Sequence, residues 1–251
     1  MGKVKKILKF LIPSFILLFI KKKYSQFLLD KYKNLNTYEV FEKIYKNKVW
    51  TSDLDKKKYN FYSGLGSHLD EFTNSYISKI INFLKQFNDK KEVLELGCGD
   101  FVISSKIVPY TKKFIATDIF DEIINDNKKK YKDLNVNFRV LDMTKDLLPD
   151  SDICIVRCVL QHLSNDLIIK FIKNISNHFE YLIITEHYPS NNDFNANKDI
   201  ITGPDIRLSK NSAVDIVKEP FNLNFVERFE LCRTSSHPVE GYLITEVFKL
   251  K

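Results

Sequence analysis

One short run constrains this chain more than any other: Val93-Leu94-Glu95-Leu96 closed by Gly97-Cys98-Gly99. So brief an apolar run reads as a buried strand entering a tight turn. The chain has only seven glycines, and a glycine pair marks a place where positive φ or close approach to a ligand excludes a Cβ. The same pattern repeats downstream. Residues 113–117 read as a second strand ending at Asp118, 136–141 as a third ending at Asp142, 152–156 as a fourth ending at Arg157, and 181–185 as a fifth. Helical stretches are expected over 101–108 (closed by Pro109), 121–132 and 165–178, the last amphipathic through Leu167, Ile168, Phe171, Ile172 and Ile175. Strands alternating with helices predict an α/β fold with a parallel sheet covered on both faces. Two strand-like runs at 224–231 and 242–250, with no helix between them, predict an antiparallel pair at the sheet edge. Ahead of the first strand, 70–87 reads as a helix through Phe72, Tyr76, Ile80, Ile81 and Leu84.

The 251 residues allow one large domain or one domain with an extension. Apolar content of 44% and charged content of 28% are those of a globular protein. Four cysteines (98, 154, 158, 232) form no C-x-x-C pair, which excludes the usual zinc and redox spacings and a disulfide scaffold. A reducing, cytoplasmic compartment and no metal are expected, with Cys98 and Cys154 as small buried fillers. The net charge of +7 is unevenly placed. Residues 1–35 hold nine lysines and one acid, Asp30, so the remaining 216 residues sum to −1. A nucleic-acid binder carries its basic footprint on the folded domain, so no nucleic-acid partner is expected. Within the basic segment, 7–20 is apolar apart from Lys9 and Pro13-Ser14. A helix of that length spans about 21 Å, short of the roughly 30 Å hydrocarbon core. No small-residue cleavage site follows. An interfacial anchor at the inner face of the cell membrane is one reading; a helix packed on the protein itself or on a partner is the other. The expected division is a basic and apolar helical segment at 1–35, a helical cap at 36–90 and the main domain at 91–251.

In open α/β sheets, ligands bind beyond the carboxyl ends of the strands. A glycine turn and an acid at the ends of three adjacent strands is a nucleoside-binding layout. A dinucleotide loop needs G-x-G-x-x-G facing a pyrophosphate. Here Val102 takes the third glycine's place and Asp100 stands beside the phosphate position, which suits a cationic ligand better.

The run from Val93 to Asp100 resembles the first motif of class I S-adenosylmethionine-dependent methyltransferases. Asp118, nineteen residues after Gly99, is similar to that family's ribose-binding acid, and Asp142-Met143 to its adenine-binding pair. Residues 155–164 (Ile-Val-Arg-Cys-Val-Leu-Gln-His-Leu-Ser) resemble its fourth-strand motif, where acceptor meets methyl group. The resemblance covers roughly 60–251 and implies a Rossmann-like, seven-stranded, mostly parallel sheet with a C-terminal antiparallel hairpin, plus the N-terminal helical extension. It implies S-adenosyl-L-methionine as cofactor, held by Glu95, Gly97, Cys98, Gly99, Asp118, Ile119, Asp142, Met143 and Arg157. One departure is Phe101, where many relatives carry a third glycine. Trp50, Ser63-Gly64-Leu65-Gly66-Ser67 and 197–203 (Asn-Lys-Asp-Ile-Ile-Thr-Gly) further resemble a bacterial group found in surface-polysaccharide (capsule) gene clusters, which implies a glycan-precursor acceptor.

A sugar hydroxyl is too weak an acid to attack unaided and needs a general base, for which histidine is the natural choice. His162 follows the fourth strand and His187 the fifth, on one rim, so both are catalytic candidates together with Arg157. Arg207, in the long irregular segment 188–220, is a candidate acceptor ligand, since arginine forks suit phosphate. Tyr62 and Ser67 are candidates to line the pocket, beside glycines that let the chain fold over it. Were the methylated atom a phosphoryl or phosphoramidate oxygen, no base would be needed and the arginines would matter more. A reading of another class is a non-catalytic membrane-surface scaffold that keeps a vestigial nucleoside pocket.

Overall fold

The structure is a computed structural model describing residues 30–51, 55–175, 178–235 and 241–251. Most of the expected anchor segment, residues 1–29, lies outside the described residues. Among the described residues no helix is long and apolar enough to cross a membrane.

Seven strands form one sheet: β1 (Glu92–Leu96), β2 (Lys113–Asp118), β3 (Val136–Val140), β4 (Ile153–Arg157), β5 (Tyr181–Tyr188), β6 (Glu227–Ser235) and β7 (Tyr242–Lys249). Their spatial order is β3-β2-β1-β4-β5-β7-β6. The first five are parallel, and β7 inserts antiparallel between β5 and β6. This is the mostly parallel sheet with a C-terminal antiparallel hairpin that the sequence predicts. The central strands read as unbroken apolar runs because both their faces are covered. Val93, Leu94 and Leu96 of β1 and Ile153 to Val156 of β4 are fully buried.

The α-helices among the described residues are α1 (Thr37–Lys46), α2 (Asp70–Leu84), α3 (Asp121–Lys130) and α4 (Asn165–Ile175). A capping box starts α1: the Asn36 side chain accepts from Glu39 N–H, and the Glu39 carboxylate accepts from Asn36 N–H. Phe72, Tyr76, Ile80 and Phe83 of α2 are buried, and Phe83 meets Tyr181 of β5 and Phe229 of β6. Thus α2 packs on the sheet, while α1 lies over the far end of β2, its Tyr45 ring stacked on Phe120.

Two expectations need correction. Residues 101–108 are not an α-helix but two 3₁₀ turns, Ser104–Lys106 and Val108–Tyr110. Phe101 has φ +60°, and Pro109 has no N–H to give. The left-handed conformation that a third glycine would take is thus adopted by Phe101. Its ring is buried edge-on against Phe114, Tyr131 and Phe138, which compensates the strain. Strand β5 also runs on past Thr185, because Glu186, His187 and Tyr188 pair with Ile244, Leu243 and Tyr242 of β7. His187 therefore sits inside the strand and not after it.

The turn after β1 and the turn after β4 touch. Gly97 has φ +75°, and a Cβ there would lie 2.6 Å from Val159 Cγ2. Gly97→Ala should therefore lose about 1–3 kcal/mol by overpacking and backbone strain. Val159→Ala in the same chain should restore part of that loss. Urea unfolding of the two single variants and the double variant measures the coupling.

Candidate active site

A cavity of about 410 Å³ opens at the carboxyl ends of β1, β2 and β4. Its floor is the turn after β1. The Thr117 carbonyl accepts the N–H groups of Gly97 and Cys98 at 2.9 and 2.8 Å, and Asp118 Oδ2 accepts Gly99 N–H at 3.0 Å. The roof is the segment that follows α1. Ser63 N–H donates to Asp100 Oδ2, and Ser63 Oγ accepts Asp100 N–H at 2.8 Å. His68 Nε2 pairs with the same Asp100 carboxylate at 2.6 Å. Arg157 holds the roof from the β4 side, donating to the Gly66 carbonyl at 2.7 Å and to Ser67 Oγ at 3.3 Å.

One end of the cavity is acidic. Glu95 lines it, buried, with Oε1 accepting from Ser104 Oγ at 2.6 Å and Oε2 left without a partner among the described residues. Burial pushes its carboxyl up to about 8. Burial also raises Asp118, to about 6, against the pull of its backbone hydrogen bonds. Asp118 Oδ2 accepts Gly99 N–H and Oδ1 accepts Phe120 N–H, and Ile119 N–H also acts on the carboxylate, which with four lone-pair sites keeps acceptor capacity. Ile119, Leu141 and Met143 form an apolar slot beside Asp142, whose Oδ1 accepts from Thr144 N–H and Oγ.

The other end is aromatic. Trp50 packs 4.9 Å from the His162 ring, and its indole N–H donates to the Pro204 carbonyl. His162 and His187 both line this end. Burial pushes each down to about 4, so both are uncharged at neutral pH. Gln161 stands between them, its Oε1 2.7 Å from His187 Nδ1 and its Nε2 3.4 Å from His162 Nε2.

The candidate residues are thus sorted by placement. Glu95, Gly97, Cys98, Gly99, Asp118, Ile119, Asp142, Met143, Arg157, Ser67, His162 and His187 all line the cavity. Arg207, expected as an acceptor ligand, does not line the cavity. It is 1% exposed and donates to the carbonyls of Lys198, Leu160 and Leu163 and to Asn165 Oδ1. Those bonds use its guanidinium to tie the irregular segment to the end of β4. Tyr62 does not line the cavity; its ring stacks on His68 at 4.1 Å. Asp100, expected to face a cationic ligand, is engaged by Ser63 and His68. Sequence reasoning passed over Gln161 and Glu186. Glu186 is buried in β5 and accepts the N–H groups of Leu160 and Gln161 at 2.9 and 3.0 Å. An acid inside an apolar strand run is the signal that could have found it.

Solved structures share this fold, and part of the chain matches a family model. Residues 93–180 match a family model described as a methyltransferase domain. A curated relative, the ribosomal RNA small subunit methyltransferase A of Mycoplasma mobile, is 28% identical over 117 residues, which cover 46% of this chain and 45% of that protein. The chain therefore matches less than half the length of that relative. Among solved structures, the N-methyltransferase NodS of Bradyrhizobium japonicum WM9, in complex with S-adenosyl-L-homocysteine, superposes with a TM-score of 0.58 at 15% identity, over 86% of this chain and all of that one. The bifunctional kinase-methyltransferase WbdD superposes with a TM-score of 0.51 at 15% identity, over 73% of this chain and 40% of that one. Residues 93–180 thus match a methyltransferase-domain model, and the sheet has the fold of these solved methyltransferases, of which NodS binds S-adenosyl-L-homocysteine, the demethylated form of the cofactor S-adenosyl-L-methionine. The cavity suits that cofactor, which is a nucleoside bearing a sulfonium and an ammonium. The unpartnered Glu95 Oε2 lacks the positive group that would satisfy it, and Asp118 keeps acceptor lone pairs beside the glycine turn.

Two expectations follow. Below pH 6.5 the unfolded chain protonates His162, while the folded chain keeps it neutral down to about 4. Its contribution is therefore intact above pH 6.5 and is lost as pH falls toward 4, by about 1.4 kcal/mol per unit. Buried carboxylates titrate in the opposite sense, so the quantity to measure is the stability difference between wild type and His162→Asn, which should move against wild type across this window. Arg207→Met should cost about 3–5 kcal/mol by stripping buried carbonyls of their donor. Affinity for S-adenosylmethionine, titrated on the folded fraction, should be retained.

Proposed function

We propose that the protein transfers a methyl group from S-adenosyl-L-methionine to an oxygen of a sugar or glycan precursor in bacterial surface-polysaccharide assembly. The observation that carries this reading is the aromatic end of the cavity, read as the acceptor end, where uncharged His162 packs against Trp50 and uncharged His187 lines the same cavity. The cofactor supplies an activated methyl carbon on a sulfonium sulfur, so the protein's task is positioning and proton management. Glu95, Asp118 and Asp142, with Ile119 and Met143, would hold the cofactor. The 63–67 segment, fastened by Arg157 and Asp100, excludes water. Trp50 offers a flat apolar face for a sugar ring, and a neutral histidine takes the hydroxyl proton.

A phosphoryl or phosphoramidate acceptor is less well supported, because Arg207 is consumed by backbone carbonyls and two Arg157 nitrogens by the roof. An RNA acceptor, as the name of the curated relative describes, finds little support in a body that sums to −1 outside residues 1–35. The lysines of that segment support a peripheral membrane contact, where lipid-linked or nucleotide-linked precursors are met.

Calorimetric titration with S-adenosylmethionine tests the reading, with NAD as control. The cofactor should bind and NAD should not. Asp118→Asn should weaken binding by at least about tenfold through loss of a charge-assisted contact. Wild-type affinity should fall as pH drops through about 6, where Asp118 becomes protonated. Near pH 7.5, buffers of different ionisation enthalpy should reveal proton release as the bound cation draws Glu95 below its free value of about 8. Transfer of a tritiated methyl group to a panel of nucleotide sugars then seeks the acceptor. Absence of binding by folded protein overturns the proposal and favours the scaffold.

A further inference from the structure

The acceptor end contains a hydrogen-bond chain with a direction. His162 Nδ1 lies 3.2 Å from the Asp205 carbonyl oxygen. A carbonyl only accepts, so Nδ1 carries the His162 proton. The ring is neutral, and its Nε2 therefore has only a lone pair to offer. The neighbour of that lone pair is Gln161 Nε2 at 3.4 Å, which also lies 3.4 Å from the Cys158 carbonyl. Two acceptors on one side of the amide fix its NH₂ there and turn Oε1 toward His187. His187 Nδ1, 2.7 Å from Oε1, must then donate. A neutral imidazole has one N–H, so His187 Nε2 is left with its in-plane lone pair. No partner for that nitrogen occurs among the described residues, and the ring lines the cavity.

We infer that Gln161, anchored through His162, is a positioning residue that locks the His187 tautomer and makes His187 Nε2, rather than His162, the atom that takes the acceptor's proton. The inference rests on the methyl-transfer reading and deepens it. In the step, the acceptor oxygen forms a bond to the methyl carbon. The carbon–sulfur bond breaks with its electron pair on sulfur, and the hydroxyl proton passes to His187 Nε2. The imidazolium then returns that proton to water, with Nδ1–H still donating to Gln161. His162 is held out of this role because its own lone pair is engaged. Glu186 keeps the chain in register by accepting the Leu160 and Gln161 N–H groups at the start of the turn that carries Gln161 and His162. The charged or titratable neighbours that act on His187 are Arg157 and His162; in the resting state Arg157 opposes its protonation, while His162, itself uncharged there, would do so only once protonated.

Long-range proton–nitrogen NMR of the ¹⁵N-labelled full chain reads the tautomers directly, with His187→Asn and His162→Asn as assignment controls. At pH 7.5 both rings should carry the proton on Nδ1 alone. Gln161→Leu should abolish the single His187 tautomer, whereas Gln161→Glu, which keeps an acceptor oxygen, should preserve it. A proton on His187 Nε2 in the wild type, or an unchanged tautomer in Gln161→Leu, would overturn the inference. In tritiated-methyl transfer to a pool of uridine- and guanosine-diphosphate sugars, His187→Asn and Gln161→Leu should each lose about 10²–10⁴-fold in kcat, with S-adenosylmethionine affinity held. A larger loss in His162→Asn than in His187→Asn counts against it. Failure of the wild type to bind S-adenosylmethionine would sink the methyl-transfer reading instead, and the tautomer measurement separates the two.

Discussion

The end of β2 holds the end of β1, and the rest of the site hangs from that tie. One carbonyl, Thr117, accepts two successive N–H groups of the glycine turn. The next residue, Asp118, accepts the N–H of Gly99. Asn127 of α3 closes the circuit by donating to the Gly99 carbonyl at 2.7 Å. With the turn fixed, Asp100 is fixed, and Asp100 is the post to which Ser63 and His68 fasten the roof. A Cβ on Gly99 would collide with Ser63 Oγ, so the roof closes at this distance only because the turn presents bare backbone. The position of the cap is thereby inherited from the parallel sheet and not from the cap's own sequence.

Burial does opposite things at the two ends of the cavity, for one reason. Desolvation disfavours whichever form of a group is charged. At the acidic end it lifts Glu95 and Asp118 toward their protonated forms. At the aromatic end it drops His162 and His187 toward their free-base forms. A cationic ligand entering the acidic end offsets the cost of ionising Glu95 there. The same positive charge, felt at the other end, resists protonation of the histidines. A donor cation and a neutral base can thus share a small cavity without the base being lost to solvent protons.

How far the sequence disclosed this depends on which atoms make each feature. Strands β1, β2, β4 and β5 were legible because burial on both faces leaves an apolar run, and their final residues identified the rim. The turns at 101–110 were misread because apolar spacing at Val102, Ile103, Ile107 and Val108 reports burial, which a 3₁₀ turn satisfies as well as an α-helix. Arg207 reads as an acceptor ligand because an arginine fork in a long irregular segment suits phosphate, yet it is buried. Its partners are main-chain carbonyls of Lys198, Leu160 and Leu163, and a carbonyl leaves no mark in the residue string. Tyr62 was placed near its site, but the His68 ring offered it a better surface than the cavity.

The same reasoning explains why Gln161 could not be assigned a role from the residues alone. Two backbone oxygens set the direction of its hydrogen bonds, those of Asp205 and Cys158. The Asp205 carbonyl stands where it does because Arg207, two residues on, pins the segment against the end of β4 and the start of α4. The Cys158 carbonyl is oriented by a left-handed residue, with φ +55°, whose N–H donates to Thr185 across to β5. Neither contact specifies a side chain at 205 or 158. The proton's path at the acceptor end is therefore written in main-chain geometry, and the buried arginine that seemed a candidate for the acceptor governs that path at one remove.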